Sequence, residues 1–225
     1  MMYNGKKSVS ADHQANAGRG RLITFEGIDG SGKSTQITWL ADSLRSEGLD
    51  VLVLREPGGT PIGEAIRKIL LDCKHDGMSQ VTELFLFEAA RAQLIREVIE
   101  PALAAGTNVI CDRFFDSTLA YQGYGRGLDL DMIDAMNRYA VDSSRPDVTI
   151  LLDLPVETAV SRLAVRPGEA DRLEGEGLAF MQRTCEGYRA LAAREPERII
   201  KFDASLPAAV LAKQIFHVIR EDLRL

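Results

Sequence analysis

Residues 22–36 read LITFEGIDGSGKSTQ, and this stretch decides the fold. A short apolar run ends at Glu26 and leads directly into Gly27–Ser34, which has the spacing G-x-x-x-x-G-K-S. A helical pattern begins at Lys33. A strand, a glycine-rich loop and a helix in this order form the setting in which such a loop binds nucleoside triphosphates. The stretch therefore predicts a P-loop.

The loop supplies several separate parts of a phosphate site. Its glycines permit backbone conformations and a close approach that side chains would block. Its N–H groups and the positive end of the following helix attract phosphate oxygens. Lys33 adds a positive charge for the outer phosphates, and the Ser34 hydroxyl is suited to bind Mg²⁺. The residues predicted to bind the phosphates of ATP are Gly27, Ile28, Asp29, Gly30, Ser31, Gly32, Lys33, Ser34 and Thr35.

Apolar runs and amphipathic segments alternate along the rest of the chain. Strands are predicted at Leu22–Glu26, Val51–Arg55, Asn108–Asp112, Val148–Leu154 and Ile199–Asp203. Helices are predicted at Lys33–Glu47, Gly63–Leu71, Val81–Ala105, Ser117–Tyr124, Leu130–Val141, Val156–Arg166, Glu176–Glu195 and Leu206–Leu223. Continuous apolar strands suit a parallel sheet that is covered on both faces. The pattern predicts an α/β fold with a five-stranded parallel sheet and helices on both faces.

Composition limits the class of protein. The chain has 225 residues and a net charge of −6, and 45% of its residues are hydrophobic. We expect a flexible tail at residues 1–21, without a secretory signal, and one domain at residues 22–225. The acidic balance argues against a nucleic-acid partner, and no apolar run is long enough to span a membrane. Three cysteines without a CxxC pair fit the cytoplasm.

One segment interrupts the alternation. Residues 166–177 read RPGEADRLEGEG, which is rich in glycine and charge and lies between two predicted helices. Its composition fits a solvated loop, and it equally fits a mobile lid whose arginines close over an anion. The arginines that such a lid offers are Arg162, Arg166 and Arg172.

The predicted strand ends carry the remaining polar candidates. In open α/β sheets, ligands bind at the carboxyl ends of the strands. The second strand ends in REPGGT (Arg55–Thr60), and the third ends in Asp112 and Arg113. An acid beside an arginine suits Mg²⁺ next to a phosphate clamp. We therefore predict Ser34 and Asp112 as metal ligands, directly or through water.

Two helical groups suggest a place for a flat ring. Phe87 and Arg91 lie four residues apart and so share a helix face. Thr118, Tyr121 and Gln122 share another face. An aromatic side chain with a planar donor, opposite a hydroxyl and an amide, could hold a heterocycle. In isolation, Phe87 and Tyr121 would each more often be core residues than ligand contacts, so the spacing alone does not decide their role.

Together these motifs resemble the thymidylate kinase family. The matching segments are FEGIDGSGKSTQ (Phe25–Gln36), REPGGT (Arg55–Thr60), FEAARAQ (Phe87–Gln93) and DRFFDSTLAYQG (Asp112–Gly123). The resemblance runs from about Leu22 to the C-terminus and implies a P-loop nucleotide-kinase fold with a small lid at about 166–177. It also implies a cytoplasmic homodimer that uses ATP and Mg²⁺ to convert dTMP to dTDP, on the route to dTTP.

The resemblance assigns a role to most of the candidates. It implies that Phe87 stacks on thymine, that Arg91 donates to a base carbonyl, and that Tyr121 crowds the 2′ position. The implied dTMP-binding residues are Arg55, Glu56, Pro57, Phe87, Arg91, Arg113, Ser117, Thr118, Tyr121 and Gln122. The implied catalytic residues are Lys33, Arg113, Asp29, Arg166 and Arg172. Gly30 stands where some members carry an arginine, which shifts the expected catalytic arginines to the lid.

The sequence is also compatible with other functions. A related P-loop kinase could act on dUMP, CMP or a deoxynucleoside. A nucleoside kinase needs a carboxylate base, for which Glu56 is the obvious candidate. A non-catalytic ATP-binding regulator is disfavoured, because a pure binder could dispense with several of Lys33, Ser34, Asp112 and the lid arginines.

Overall fold

Five parallel strands form the centre of the structure, a computed structural model that describes residues 18–166 and 171–223. The strands are β1 (Leu22–Glu26), β2 (Val51–Arg55), β3 (Asn108–Asp112), β4 (Val148–Asp153) and β5 (Ile199–Asp203). They lie side by side in the order β2-β3-β1-β4-β5. The prediction of a five-stranded parallel sheet is confirmed, with β4 ending one residue earlier than predicted.

The central strand explains why the apolar runs are continuous. Every residue of β1 is buried, although successive side chains point to opposite faces of a sheet. Both faces of the sheet are therefore covered at β1. The edge strand β2, by contrast, is only partly buried.

The helices agree with the predicted segments to within two residues at most ends. They are α1 (Lys33–Ser46), α2 (Pro61–Leu71), α3 (Gln80–Leu94), α4 (Glu100–Ala104), α5 (Phe115–Thr118), α6 (Leu130–Val141), α7 (Val156–Ala164), α8 (Leu178–Arg194) and α9 (Ala208–Leu223). Short 3₁₀ turns lie at Cys73–His75 and Glu174–Glu176. Helix α2 begins two residues before the predicted start because Thr60 caps it, accepting from Gly63 N–H at 2.9 Å, with Pro61 following.

Two segments of wider π-helix were not predicted. Ile95–Ile99 joins α3 to α4, so the helix predicted at Val81–Ala105 is not uniformly α-helical. Leu119–Gly125 continues α5, where the sequence analysis predicted a regular helix over Ser117–Tyr124. The wider turn carries Tyr121 and Gln122 and thus sets their directions differently from an α-helix.

The strand order brings two loops together. The chain leaves β1 for the edge strand β2, returns through β3 beside β1, and then crosses to β4 on the other side of β1. The order reverses at β1, and ligands bind at such switch points in α/β sheets. The loop after β1 therefore lies next to the loop after β3.

Residues 18–21, which the sequence analysis assigned to the tail, contact the domain. Gly20 N–H donates to the Leu103 carbonyl at 2.8 Å. The Arg21 guanidinium pairs with the Asp222 carboxylate at 2.7 Å. Residues 1–17 of the predicted tail and residues 167–170 of the predicted lid lie outside the described residues. Within the described part, no helix is both long and apolar enough to cross a membrane.

A buried ion pair ties α5 to the sheet. Arg198, just before β5, donates to both oxygens of Asp116 at 2.7 Å and to Thr149 Oγ1 at 2.8 Å. Its guanidinium also lies over the Phe115 ring, 4.9 Å from the centroid. Asp116 is fully enclosed, so its charge depends on this partner.

Replacing Asp116 by Asn should therefore destabilise the fold. The change leaves Arg198 without its carboxylate, and we expect the free energy of unfolding to fall by about 3 kcal/mol. Urea unfolding measures this loss. Glu221→Gln, which removes an exposed carboxylate near His217, serves as the control and should change stability by less than about 0.5 kcal/mol. Equal effects of the two variants would contradict the structural role of Asp116.

Candidate active site

The P-loop needs its glycines for space and for backbone conformation. Gly27 and Gly30 have φ values of 131° and 80°, which favour glycine. A Cβ atom at Gly27 would lie 2.6 Å from the Leu152 carbonyl oxygen, and one at Gly30 would lie 2.9 Å from that of Ala159. The loop is thus held tightly against β4 and α7.

Lys33 lies folded into the loop that it follows. Its Nζ donates to the carbonyl oxygens of Gly27 at 3.0 Å and Ile28 at 3.2 Å. Burial and the nearby Arg113 lower the pKa of Lys33, while Asp29 and Asp112 act in the opposite direction. The Lys33 ammonium group therefore lies where the loop is expected to bind phosphates.

Ser34 and Asp112 offer oxygen ligands for a cation. The Ser34 hydroxyl donates to Asp112 Oδ2 at 3.5 Å. Asp112 Oδ1 is buried and has no hydrogen-bond partner among the described residues. A carboxylate oxygen left unpaired beside a hydroxyl fits Mg²⁺, which prefers hard oxygen ligands. The donor set therefore agrees with the predicted metal site.

Arg113 connects the end of β3 to the P-loop. Its φ of 70° is unusual for a residue other than glycine and is held by a bond from its N–H to the Phe25 carbonyl, 2.9 Å away. Its Nη2 donates to Asp29 Oδ1 at 2.7 Å and to the Tyr121 hydroxyl at 3.0 Å. Its Nη1 donates to the Gly27 carbonyl at 3.0 Å. The guanidinium is therefore fixed at the mouth of the loop.

Asp29 is the anionic partner of this arginine. Burial alone would raise the pKa of Asp29, but Arg113 and Lys33 more than offset that effect and hold it well below the usual range. The Tyr121 hydroxyl also donates to Asp29 Oδ2 at 3.2 Å. Asp29 is therefore ionised at neutral pH and balances the two cations.

A buried network that the sequence analysis missed supports Arg113 from behind. Glu26 accepts from the Ser117 hydroxyl at 2.6 Å and from the Tyr188 hydroxyl at 2.8 Å. Arg113 Nη1 donates to the same two hydroxyls, at 3.4 and 3.2 Å. Burial and the charge of Asp116 raise the pKa of Glu26 to about 7, against the hydrogen bond from Ser117. Tyr188 lies on α8, far from Glu26 in sequence, so no local pattern could reveal it.

One cavity of about 520 Å³ joins these groups. The residues lining it in the described part of the chain are Asp29, Gly30, Gly32, Lys33, Ser34, Thr35, Arg55, Glu56, Pro57, Arg67, Leu71, Phe87, Asp112, Arg113, Ser117, Thr118, Tyr121, Gln122, Arg166, Asp171, Leu173 and Glu174. Most predicted site residues are therefore brought together. Gly27, Ile28 and Ser31 belong to the loop but do not line the cavity.

Arg67 is a cavity residue that the sequence analysis did not single out. It donates to the Pro57 carbonyl at 3.1 Å. Burial and the charge of Arg55 lower the pKa of Arg67. It lies one turn beyond Glu64, which pairs with Arg55 at 2.9 Å. That pair is visible only in the fold, so the local sequence carried no signal for Arg67.

Phe87, Thr118 and Gln122 form the wall that carries the predicted ring-binding groups. Phe87 is half-buried. The Thr118 hydroxyl oxygen is buried and has no hydrogen-bond partner in the part of the chain that the structure describes. Gln122 Nε2 donates to Glu83 Oε1 at 2.8 Å. Because an unpaired buried hydroxyl is costly, Thr118 marks a place where a polar ligand atom is expected.

Two arginines predicted for the site do not line the cavity. Arg91 is enclosed and pairs with Glu56 and Glu88, each at 2.7 Å. Arg172 pairs with Glu83 at 2.6 Å and donates to the Leu70 carbonyl at 2.8 Å. Buried carboxylates thus engage both guanidinium groups, and their roles toward substrate stay predictions.

The other two lid candidates lie closer to the loop. Arg166 lines the cavity and pairs with Glu174 at 2.7 Å. Arg162 donates to the Gly30 carbonyl at 3.2 Å and to the Ala204 carbonyl at 3.1 Å. Arg162 therefore bridges the P-loop and the turn after β5, while Arg166 is the lid arginine that reaches the cavity.

Fold and site together define a P-loop kinase: a phosphate loop at the switch strand, an Asp-Arg pair at the neighbouring strand end, and between them a cavity lined, in the described part of the chain, by five cations and five carboxylates. The family model described as thymidylate kinase matches residues 25–215. The chain belongs to the thymidylate kinase family.

Individual relatives agree over most of the chain. A thymidylate kinase of Chlorobaculum parvum is 50% identical over 207 residues, covering 88% of this chain and 95% of that protein. One of Desulfovibrio desulfuricans is 48% identical, covering 90% of this chain and 96% of that protein. One of Geobacter sulfurreducens is 51% identical, covering 83% and 90%.

The raised pKa of Glu26 predicts a pH-dependent stability. Folded Glu26 keeps its proton between pH 4.5 and about 7, where an unfolded glutamate loses it. The free energy of unfolding should therefore fall as pH rises through this window. Glu26→Gln removes the titrating group and should make the fall shallower. Urea unfolding at pH 5, 6, 7 and 8 gives the comparison, and parallel curves for the two proteins would contradict the assignment.

Proposed function

We propose that the protein transfers the γ-phosphoryl group of ATP to dTMP, producing ADP and dTDP for dTTP synthesis. The observation that carries this proposal is the single cavity that joins Lys33 of the P-loop to Phe87 and Thr118. Such a cavity suits donor phosphates at one end and a flat base with polar edges at the other. Membership of the thymidylate kinase family supports thymine as that base.

The acceptor phosphate is itself an anionic nucleophile, so the reaction needs no strong general base. The enzyme must instead align two phosphates and neutralise their charge in the transition state. In this proposal the loop N–H groups and Lys33 hold the donor, and Arg113, Arg55 and Arg67 hold the acceptor phosphate. Arg113 Nη2 donates to Asp29 in this structure, so it must also donate to the incoming phosphate.

The other site residues position the nucleoside. We assign Phe87 to the face of the base, Thr118 and Gln122 to its polar edge, Tyr121 to the 2′ side of the sugar and Asp29 to the 3′-hydroxyl. We assign Arg91 to the base carbonyl only from the resemblance, because its guanidinium is held by Glu56 and Glu88. The same Arg91–Glu56 pair disfavours Glu56 as a free base for a nucleoside.

Ser34 and Asp112 would hold Mg²⁺, and the unpaired Asp112 Oδ1 supports this choice. When bound, the metal supplies positive charge for the phosphate oxygens. Among the lid arginines, Arg166 is the stronger candidate for the transferring phosphoryl group because it lines the cavity. Arg172 is assigned to the same task only by resemblance.

ADP release tests this function. We expect ADP release from ATP and Mg²⁺ to depend on dTMP, to be slower with dUMP or dCMP, and to be absent with thymidine. ATP binding without dTMP-dependent release would instead favour a non-catalytic regulator. Faster release with thymidine than with dTMP would favour a nucleoside kinase.

Lys33→Ala should nearly abolish turnover. The loss removes the charge that the loop supplies to the outer phosphates, and we expect kcat to fall by at least about 100-fold. Circular dichroism and urea unfolding should show a folded protein. Near-normal kcat in folded Lys33→Ala would contradict the phosphate role of the loop.

We also propose that the protein is a cytoplasmic homodimer. Helix α3 packs against both α2 and α6, and all three carry exposed apolar side chains. We call these exposed residues the apolar surface, and they are Ile62, Ile69, Val81, Phe85, Met132 and Tyr139. Exposure of 59% for Phe85 and 89% for Tyr139 is unusual for such large side chains. A second copy of the chain, as the family resemblance implies, is the partner that we assign to this surface.

Phe85→Glu should convert the dimer to a monomer, because it places a charge in the apolar surface. Light scattering after size exclusion measures the mass. Val210→Glu changes an exposed apolar residue on α9, outside this surface, and should leave the dimer intact. A monomeric wild type, or a dimeric Phe85→Glu variant, would contradict the proposed interface.

A further inference from the structure

Glu83 on α3 is a buried carboxylate that the mechanism above does not use. Only 1% of its surface is exposed. Its Oε1 accepts from Gln122 Nε2 at 2.8 Å, and its Oε2 accepts from Arg126 Nη2 at 3.0 Å. Arg172 Nη2 lies 2.6 Å from the same Oε2. Glu83 therefore contacts Gln122 in the wall of the cavity and Arg172, which follows the undescribed residues 167–170.

The surroundings of Glu83 keep it ionised. Burial raises the pKa of Glu83, but the hydrogen bonds from Arg126, Gln122 and Arg172 and the charge of Arg126 more than offset this, so the pKa lies below the usual value. Arg126 is held in turn by Glu176 at 2.6 Å. An ionised carboxylate only accepts hydrogen bonds.

This fixes which end of the Gln122 amide faces Glu83. The amide nitrogen must point to the carboxylate, and the carbonyl oxygen is the polar atom at the other end of the amide plane. Gln122 lines the cavity. With its nitrogen bonded to Glu83, the amide has its carbonyl oxygen available as a hydrogen-bond acceptor, and the amide cannot reverse without losing that bond.

The two polar side chains of this wall, Thr118 and Gln122, differ in which base atoms they can tell apart. The Thr118 hydroxyl has no partner within residues 18–166 and 171–223 and can rotate to donate or accept. It therefore tolerates either kind of base atom. The fixed acceptor on Gln122 does not tolerate both kinds of atom. It accepts from the N3–H of thymine or uracil, whereas it places a lone pair against the unprotonated N3 of cytosine.

We propose that Glu83 is a positioning residue for base specificity: it orients the Gln122 amide and thereby selects bases that carry a proton at N3 over cytosine. The inference rests on the proposed function, since it places the base at this wall. Arg126 and Arg172 serve it by keeping the carboxylate charged and in place.

The test compares kcat/KM for dTMP, dUMP and dCMP in wild type and Glu83→Gln. A neutral amide partner accepts either orientation of Gln122, so the dTMP/dCMP ratio should fall by about tenfold, the value of one hydrogen bond. The dTMP/dUMP ratio should stay unchanged, because both bases carry N3–H. These ratios do not depend on the fraction of active enzyme, so a simple loss of folded protein leaves them unaltered.

Asp116→Asn is the matched control. It also removes a buried carboxylate held by an arginine, but Asp116 does not line the cavity. We expect lower stability and an unchanged dTMP/dCMP ratio. A fall in the ratio equal to that of Glu83→Gln would show a general effect of destabilisation and overturn the inference.

A double-variant cycle tests whether Glu83 acts through Gln122. Gln122→Leu should lower the dTMP/dCMP ratio by itself, and adding Glu83→Gln should lower it no further. If Glu83→Gln does not fold, Glu83→Asp gives the same comparison, because its shorter side chain draws the carboxylate away from Gln122. An unchanged ratio in the folded Glu83 variant, or independent effects in the cycle, would overturn the inference. Absence of dTMP phosphorylation in wild type would instead overturn the proposed function.

Discussion

The ion pair between Arg113 and Asp29, 2.7 Å apart, is the interaction on which the site depends. It joins the end of β3 to the P-loop after β1, the two neighbouring strands at which the order of the sheet reverses. Each partner is held from behind: Arg113 by the hydroxyls bonded to Glu26, and Asp29 by Tyr121. The charged groups of Arg113 and Asp29 are therefore held in fixed positions beside the cavity, and alignment of two phosphates requires such fixed charges.

This arrangement explains how an acidic chain can bind polyanions. The net charge of −6 describes the whole chain, whereas one cavity is lined, among the described residues, by the carboxylates Asp29, Glu56, Asp112, Asp171 and Glu174 and by five cations. These are Lys33, Arg55, Arg67, Arg113 and Arg166. Carboxylates pair with some of these cations, Asp29 with Arg113 and Glu174 with Arg166, so the placement of the cations and not the total charge decides where a phosphate can bind.

Much of this organisation could be predicted from sequence because its causes are local. The P-loop has a fixed spacing, and the strands are continuous apolar runs, so both were found at nearly their true ends. The π-helical turn at Leu119–Gly125 and the partners of Arg91 and Arg172 could not be found in this way. Arg91 has one local partner, Glu88, but its other partner Glu56 lies 35 positions away, and the Arg172 partner Glu83 lies 89 positions away, so only the fold brings these two carboxylates close. Tyr188 and Glu83 were missed because nothing local distinguishes a supporting side chain from an ordinary core residue.

Binding of dTMP and of thymidine to the wild type and to Arg113→Gln, measured by calorimetry, tests the central claim most directly. The two ligands differ only in the phosphate that Arg113 is proposed to hold. We expect wild type to bind dTMP at least about tenfold more tightly than thymidine, as is usual for a charge-assisted pair, and Arg113→Gln to lose most of this preference. Equal affinities in wild type, or an undiminished preference in folded Arg113→Gln, would contradict the central claim.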